Sequence, residues 1–269
     1  MITVMQNRLE YAVEIAREAG NLTLEYFSNP NLAIELKNDR TPVTAADRGA
    51  ELLLRERISE RFSDDAILGE EFPEKEGRSG FRWILDPIDG TKSFIHGVPI
   101  YSTLIGIEFD GKPVIGVIRL PALDEAVWAM RGSGAWHESP RFKSPQQAQV
   151  SKCQELGEGL FLTSSVTTFD KMGREMAFQE ISQKMLLTRT WGDAYGYYLV
   201  ATGRAEIMID PILSLWDAGP MLTIIEEAGG RFSDWQGTST IYSEEAVASN
   251  GRLHEDIIAI TRRFPKKVS

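Results

Sequence analysis

Residues 84–94 read ILDPIDGTKSF, an apolar run, two aspartates around Pro87-Ile88, then Gly90 and Thr91. Proline keeps the residue before it out of the helical region, so the chain reaches Asp86 extended. It then turns, and Asp86, Asp89 and the Ile88 carbonyl can aim at one spot. Two acids at the end of an apolar strand cost stability unless a cation lies between them. The donors are hard oxygens with no cysteine or histidine nearby, which suits Mg2+ or Mn2+ better than Zn2+. If a helix starts at Gly90-Thr91, its first amides form an anion seat. Carboxylates for a metal beside amides for an anion are what a phosphate ester needs.

Working outward, similar wording recurs. The apolar run AIL (66–68) leads straight into Gly69-Glu70-Glu71, and Trp216-Asp217-Ala218-Gly219 opens a helix. Asp47, in TPVTAAD, is a further contributor. Each piece alone has a plain structural explanation: a helix cap for Asp217, a solvated turn for Glu70, a capped loop for DPIDGT. Their combination points instead to converging carboxylates.

The chain has 269 residues, enough for one large domain or two smaller ones sharing a core. Its net charge of −10 disfavours nonspecific binding to nucleic acid or anionic membrane. No apolar run approaches the roughly 20 residues that span a bilayer. The first twenty residues read as a helix rather than a signal peptide. Cys153 is the only cysteine, which precludes an intrachain disulfide and fits a reducing, cytoplasmic setting.

Apolar spacing predicts helices over 5–27 and 43–61. Short strands are expected at 66–68 and 82–85, and a hairpin is expected to join STLIGIEF to PVIGVIRL through Asp110-Gly111. EAVWAM (125–130) adds a strand, which makes this stretch an antiparallel meander. Beyond about residue 140, strands alternate with helices: GLFLT, a helix at 168–183, KMLL, a helix at 193–203, AEIMI, a helix at 217–228, AVAS, and a closing helix from 251. This predicts an α+β half over 1–145 and an α/β half over 146–269. Pro220 is expected in a first helical turn, where proline is tolerated.

Taken together, TPVTAAD (41–47), GEE (69–71), DPIDGTKSF (86–94) and WDAG (216–219) resemble the inositol monophosphatase superfamily in order and spacing, over essentially the whole chain. The resemblance implies a layered αβαβα sandwich, usually dimeric, and Mg2+ dependence with two or three ions per site, or Mn2+ instead. It implies that Glu70, Asp86, Asp89, Asp217 and the Ile88 carbonyl hold the metals. Thr91 and Asp47 would order the attacking water with Glu70, and the Gly90 and Thr91 amides would hold the phosphate. His96, His137 and His254 read as structural or solvated, with His254 on a surface helix, and Cys153 has no partner that would make it a nucleophile. Lys92 reads as a surface residue.

Residues 86–108 and 188–211 look most like the histidinol-phosphate phosphatase branch. In that superfamily the segment before the WDxAG helix borders the leaving-group pocket, and here it carries Arg189, Asp193, Tyr195 and Asp210. Acids there suit the ammonium and imidazole of histidinol better than a polyol, and Asp89 and Asp217 border the same pocket. Asp193 has an equally good explanation as a helix cap and Tyr195 a better one as core. The resemblance therefore implies hydrolysis of L-histidinol phosphate. The alternatives are an inositol-1-phosphate or broad sugar-phosphate phosphatase and, from another class, a non-catalytic metal- or phosphate-binding regulator.

Overall fold

The computed structural model describes residues 2–29, 33–36 and 42–266. Thr41, at the head of TPVTAAD, lies outside the described residues. In chain order the elements are α1 (Ile2–Leu24), β1 (Ile34–Leu36), β2 (Pro42–Thr44), α2 (Ala45–Arg61), β3 (Ala66–Gly69), β4 (Phe81–Asp89), α3 (Thr91–Ile95), β5 (Ser102–Phe109), β6 (Lys112–Leu120), β7 (Glu125–Met130), β8 (Ala135–Glu138) and β9 (Gln146–Ala148). They continue with β10 (Leu160–Leu162), α4 (Val166–Lys171), α5 (Glu175–Lys184), β11 (Leu187–Arg189), α6 (Ala194–Ala201), β12 (Ile207–Asp210), α7 (Leu215–Glu227), β13 (Arg231–Ser233), β14 (Ala246–Ser249) and α8 (His254–Thr261). No described helix is long and apolar enough to cross a membrane.

Strands β3 to β9 form one seven-stranded sheet in sequence order, antiparallel except for the parallel β3–β4 pair. The other large sheet runs β11-β10-β12-β14-β13. Strand alternation sorts the side chains into layers. On β4 and β5, Trp83, Leu85, Ile105 and Ile107 face α1 and α2, where Leu9, Ala12, Ile15, Ala16, Ala19, Leu54 and Ile58 are buried. Ile84 and Leu104 face the opposite way, into a core shared with α6 and α7 and with Leu162, Met208, Ala246 and Ala248 of the second sheet. The far side of that sheet, through Phe161, Ile207, Ile209 and Val247, is covered by α4, α5 and α8. The result is the expected αβαβα sandwich.

Helix α7 approaches the first sheet unusually closely. A methyl group on Gly106 of β5 would lie 2.5 Å from the Gly219 carbonyl carbon, and one on Gly116 of β6 would overlap the Pro220 carbonyl oxygen. These glycines are cross-strand partners, so together they form a flat seat for the start of α7.

Several expectations are corrected. The helix expected at 168–183 is two helices, broken where Gly173 takes φ +64. Strand β4 does not stop at Leu85 but continues through Asp89 around a bulge. The strand placed at KMLL lies at Leu187–Arg189 instead. Helix α7 begins at Leu215, so Pro220 falls in its second turn and cannot donate to the Trp216 carbonyl. His254 is fully buried, with Nδ1 2.9 Å from Ser249 Oγ and Nε2 3.1 Å from Ser233 Oγ. Strands β8, β9 and β13 were not expected, because HE, QQ and a lone RFS carry no apolar alternation.

Candidate active site

The bulge in β4 solves a geometric problem. Residues 86 and 89 are an odd number apart, so a regular strand would point them to opposite faces. Asp86 pairs with Leu104 and Asp89 with Ser102, so three steps on β4 match two on β5. The extra residue brings both carboxylates to one side. Local bonds fix the bulge: the Ile88 N–H donates to Asp86 Oδ1 at 3.0 Å and the Thr103 hydroxyl to the Pro87 carbonyl at 2.9 Å. Proline is tolerated here because a bulge needs no ladder donor.

Asp217 completes the group from α7, and one carboxylate oxygen from each of Asp86, Asp89 and Asp217 lies within 4.8 Å of the others. As the third residue of α7, Asp217 also accepts the Ser214 N–H at 3.1 Å. The cap explanation and the converging-carboxylate explanation thus hold together. Glu70 follows β3, its N–H bonded to the Leu85 carbonyl at 3.3 Å, which joins its turn to the residue before Asp86.

The carboxylates repel one another at close range. Burial pushes the Asp86 carboxyl well above the usual carboxylate range, and the negative charges of Glu70, Asp217 and Asp89 push it further. Asp89 is raised by burial and then by Asp193 and Asp217, against opposing hydrogen bonds from the Ala194 N–H (2.7 Å) and the Ser102 hydroxyl (2.9 Å). An all-carboxylate donor set, with Asp86 and Asp89 buried and Asp217 half-buried, fits a hard divalent cation and no softer one.

Beside the carboxylates, Gly90 takes a left-handed conformation (φ 77, ψ 42) that allows the chain to leave β4 and start α3 at once. The first N–H groups of a helix have no intrahelical partner. The Thr91 hydroxyl donates to the Ile88 carbonyl at 3.1 Å. Asp47 Oδ2 accepts both the backbone N–H (2.8 Å) and the hydroxyl (2.6 Å) of Thr44, which caps α2, and burial raises its carboxyl. Among the described hydrogen bonds, Thr91 and Asp47 do not bond each other.

Asp193 and Asp210, the acids expected to border the leaving group, are joined by Ser164, which sequence reasoning missed because nothing marks a serine between a strand and a helix. The Ser164 hydroxyl accepts the Asp193 N–H at 2.8 Å and donates to Asp210 Oδ2 at 3.0 Å. Asp210 also takes the Ser164 N–H, the Thr163 hydroxyl and the Tyr197 hydroxyl. Burial raises it to about 6, with those donors opposing. Asp193 precedes α6 with φ 52 and ψ −157 and caps nothing with its side chain. Burial raises it to about 7, helped by Asp210 and Asp217 and opposed by exposed Lys92. Tyr195 is half-buried and stacked on Tyr198. Arg189 is exposed at the end of edge strand β11, bonded to the Thr188 carbonyl at 2.7 Å, and enters no described contact with the acids.

Comparison with known proteins agrees with this geometry. The model of the "Inositol monophosphatase family" matches residues 4–266. A histidinol-phosphatase of Chlorobaculum parvum is 42% identical over 93% of this chain and 95% of its own, and one of Mycobacterium tuberculosis is 37% identical over 93% and 96%. An inositol-1-monophosphatase of Mesorhizobium japonicum is 32% identical over 91% and 92%. Among solved structures, the Thermotoga maritima IMPase superposes with a TM-score of 0.85 at 27% identity, covering 96% of this chain and 98% of that one. The chain belongs to the inositol monophosphatase family and is a phosphoric monoester hydrolase.

Proposed function

We propose that this enzyme is a Mg2+-dependent phosphatase that hydrolyses L-histidinol phosphate to L-histidinol and phosphate. Glu70, Asp86, Asp89, Asp217 and the Ile88 carbonyl would hold two or three ions. Bound there, Mg2+ lowers the pKa of water and neutralises charge on the phosphoryl and leaving oxygens. The chain's own residues do the rest. The Gly90 and Thr91 amides hold phosphate oxygens. Glu70, with the Thr91 hydroxyl and buried Asp47, orients a water opposite the ester oxygen. As the water oxygen bonds to phosphorus the ester P–O bond breaks, and the water's proton passes to the leaving alkoxide.

The observation that carries the choice of leaving group is the placement of Asp193. Its carboxylate lies against Gly90, the phosphate seat, and Ser164 ties its backbone to Asp210. Acids at that border attract a cationic alcohol such as histidinol. The relatives named histidinol-phosphatase support the same substrate. The alternative, an inositol-1-phosphate phosphatase, uses the same metal residues and has its own named relatives. Phosphate release on the two esters separates them, and a preference for the inositol ester would overturn the proposal. A homodimer belongs to the same proposal; light scattering should give twice the 30.1 kDa chain mass.

A further inference from the structure

Glu70 stands on a short turn that is held from behind by a buried ion pair on α2. Glu51, fully buried, accepts Arg55 Nε at 2.7 Å through Oε1 and the Glu71 N–H at 2.7 Å through Oε2. Arg55 Nη2 donates to the Phe72 carbonyl at 2.9 Å. The pair therefore grips the backbone on the C-terminal side of Glu70 twice. On its N-terminal side, Gly69 lies so close to the Glu51 carboxylate that a methyl group there would overlap Oε1. A further tie, from the Glu70 N–H to the Leu85 carbonyl, fastens the turn to the strand that carries Asp86.

We propose that Glu51 and Arg55 are positioning residues for the Glu70 carboxylate, setting the affinity of the site for divalent metal without touching metal or substrate. The proposal rests on the reading of Glu70 as a metal ligand. A buried ion pair contributes little net stability, since apolar replacements of such pairs are often neutral. This one bonds two adjacent backbone groups of a ligand-bearing turn, and neither an apolar residue nor a lone acid could reach both. Partners behind a metal ligand typically set about 10- to 100-fold in affinity or activity.

The test uses Glu51→Gln, which turns an amide donor toward Arg55, and Arg55→Lys, which keeps the charge but cannot span Glu51 and Phe72. Binding of Mn2+ to substrate-free protein is followed by electron paramagnetic resonance, alongside the Mg2+ dependence of phosphate release. Glu51→Gln should weaken Mn2+ binding by about 10- to 100-fold and shift the Mg2+ half-saturation by the same factor. At saturating Mg2+ the KM for the ester should stay within about threefold of wild type, because the pair touches no substrate. Arg55→Lys should move both metal readouts in the same direction, and it carries the test if the first variant does not fold. Variants that melt lower in EDTA yet bind Mn2+ like wild type would overturn the positioning role. Wild-type protein that takes up no Mn2+ would overturn the metal-site reading itself, and this proposal with it.

Discussion

Gly90 and Asp193 face each other so closely that a methyl group on Gly90 would lie 2.9 Å from Asp193 Oδ2. Both depart from ordinary backbone geometry, at φ 77 and φ 52. The strand exit proposed to seat phosphate and the loop proposed to border the leaving group are thus built against each other. Gly90→Ala should cost about 1–2 kcal/mol from the left-handed conformation alone. It should also lower phosphate release by about 100-fold or more, since an ångström of misplacement at a reacting centre costs that much. Urea unfolding and initial rates check the two parts separately; near-wild-type rates would show that the seat lies elsewhere.

The clustered carboxylates make a prediction that runs against the usual effect of mutating a buried, hydrogen-bonded acid. Asp86→Asn keeps the Oδ1 acceptor for the Ile88 N–H but removes one of the mutually repelling charges. In EDTA the variant should melt higher than wild type, while the upward shift that Mg2+ gives wild type, and phosphate release, should both vanish. Thermal unfolding with and without Mg2+ reads both. A variant less stable than wild type in EDTA would mean that the carboxylates are not in conflict without metal.

The glycine seat under α7 should couple packing to the site. Gly106→Ala places a methyl group 2.5 Å from the Gly219 carbonyl carbon, and backbone cannot rotate away as a side chain can. Overpacking of this kind costs about 1–3 kcal/mol. Because Asp217 lies two residues before Gly219, lifting α7 should also weaken metal binding. Calorimetry and a Mn2+ titration test this; a stable variant with unchanged Mn2+ affinity would show that the contact does not set Asp217.

Buried His254 should make stability fall in mild acid. Burial, and then the charge of Arg231, lower its pKa to about 4. Above the unfolded value, near 6.5, both states are neutral and the group is silent. As pH falls below that value the unfolded chain binds a proton that the folded chain refuses, so stability is lost through the window down to about 4. At pH 5 the loss from this group is roughly 2 kcal/mol. Urea midpoints of wild type and His254→Gln at pH 7.5 and pH 5 isolate it: wild type should lose about that much more than the variant. Equal losses would contradict the assignment.

Much of this was legible in the sequence because the chemistry is local. The acids of DPID, GEE and WDAG sit at element ends, and the strands around them carry clean apolar periodicity. The bulge was not legible, since the sequence alone suggested that the strand ended at Leu85 and that a turn aimed Asp86 and Asp89 at one spot; it takes cross-strand pairing to show that the strand runs on and a bulge does so. Ser164 and the Glu51–Arg55 pair were hidden for a related reason. Their partners lie far along the chain or on backbone groups, and an acid four residues before an arginine on a helix ordinarily signals a solvated face. His254 was misplaced because its two serine partners, Ser233 and Ser249, come together only when β13 and β14 pair.

The central claim is most directly tested by measuring Mg2+-dependent phosphate release on L-histidinol phosphate and myo-inositol 1-phosphate, side by side at matched low concentrations. A large advantage for histidinol phosphate, lost when Asp193 is replaced by Asn, is the predicted result. Equal rates, or a preference for the inositol ester, would contradict the leaving-group assignment while leaving the metal mechanism standing.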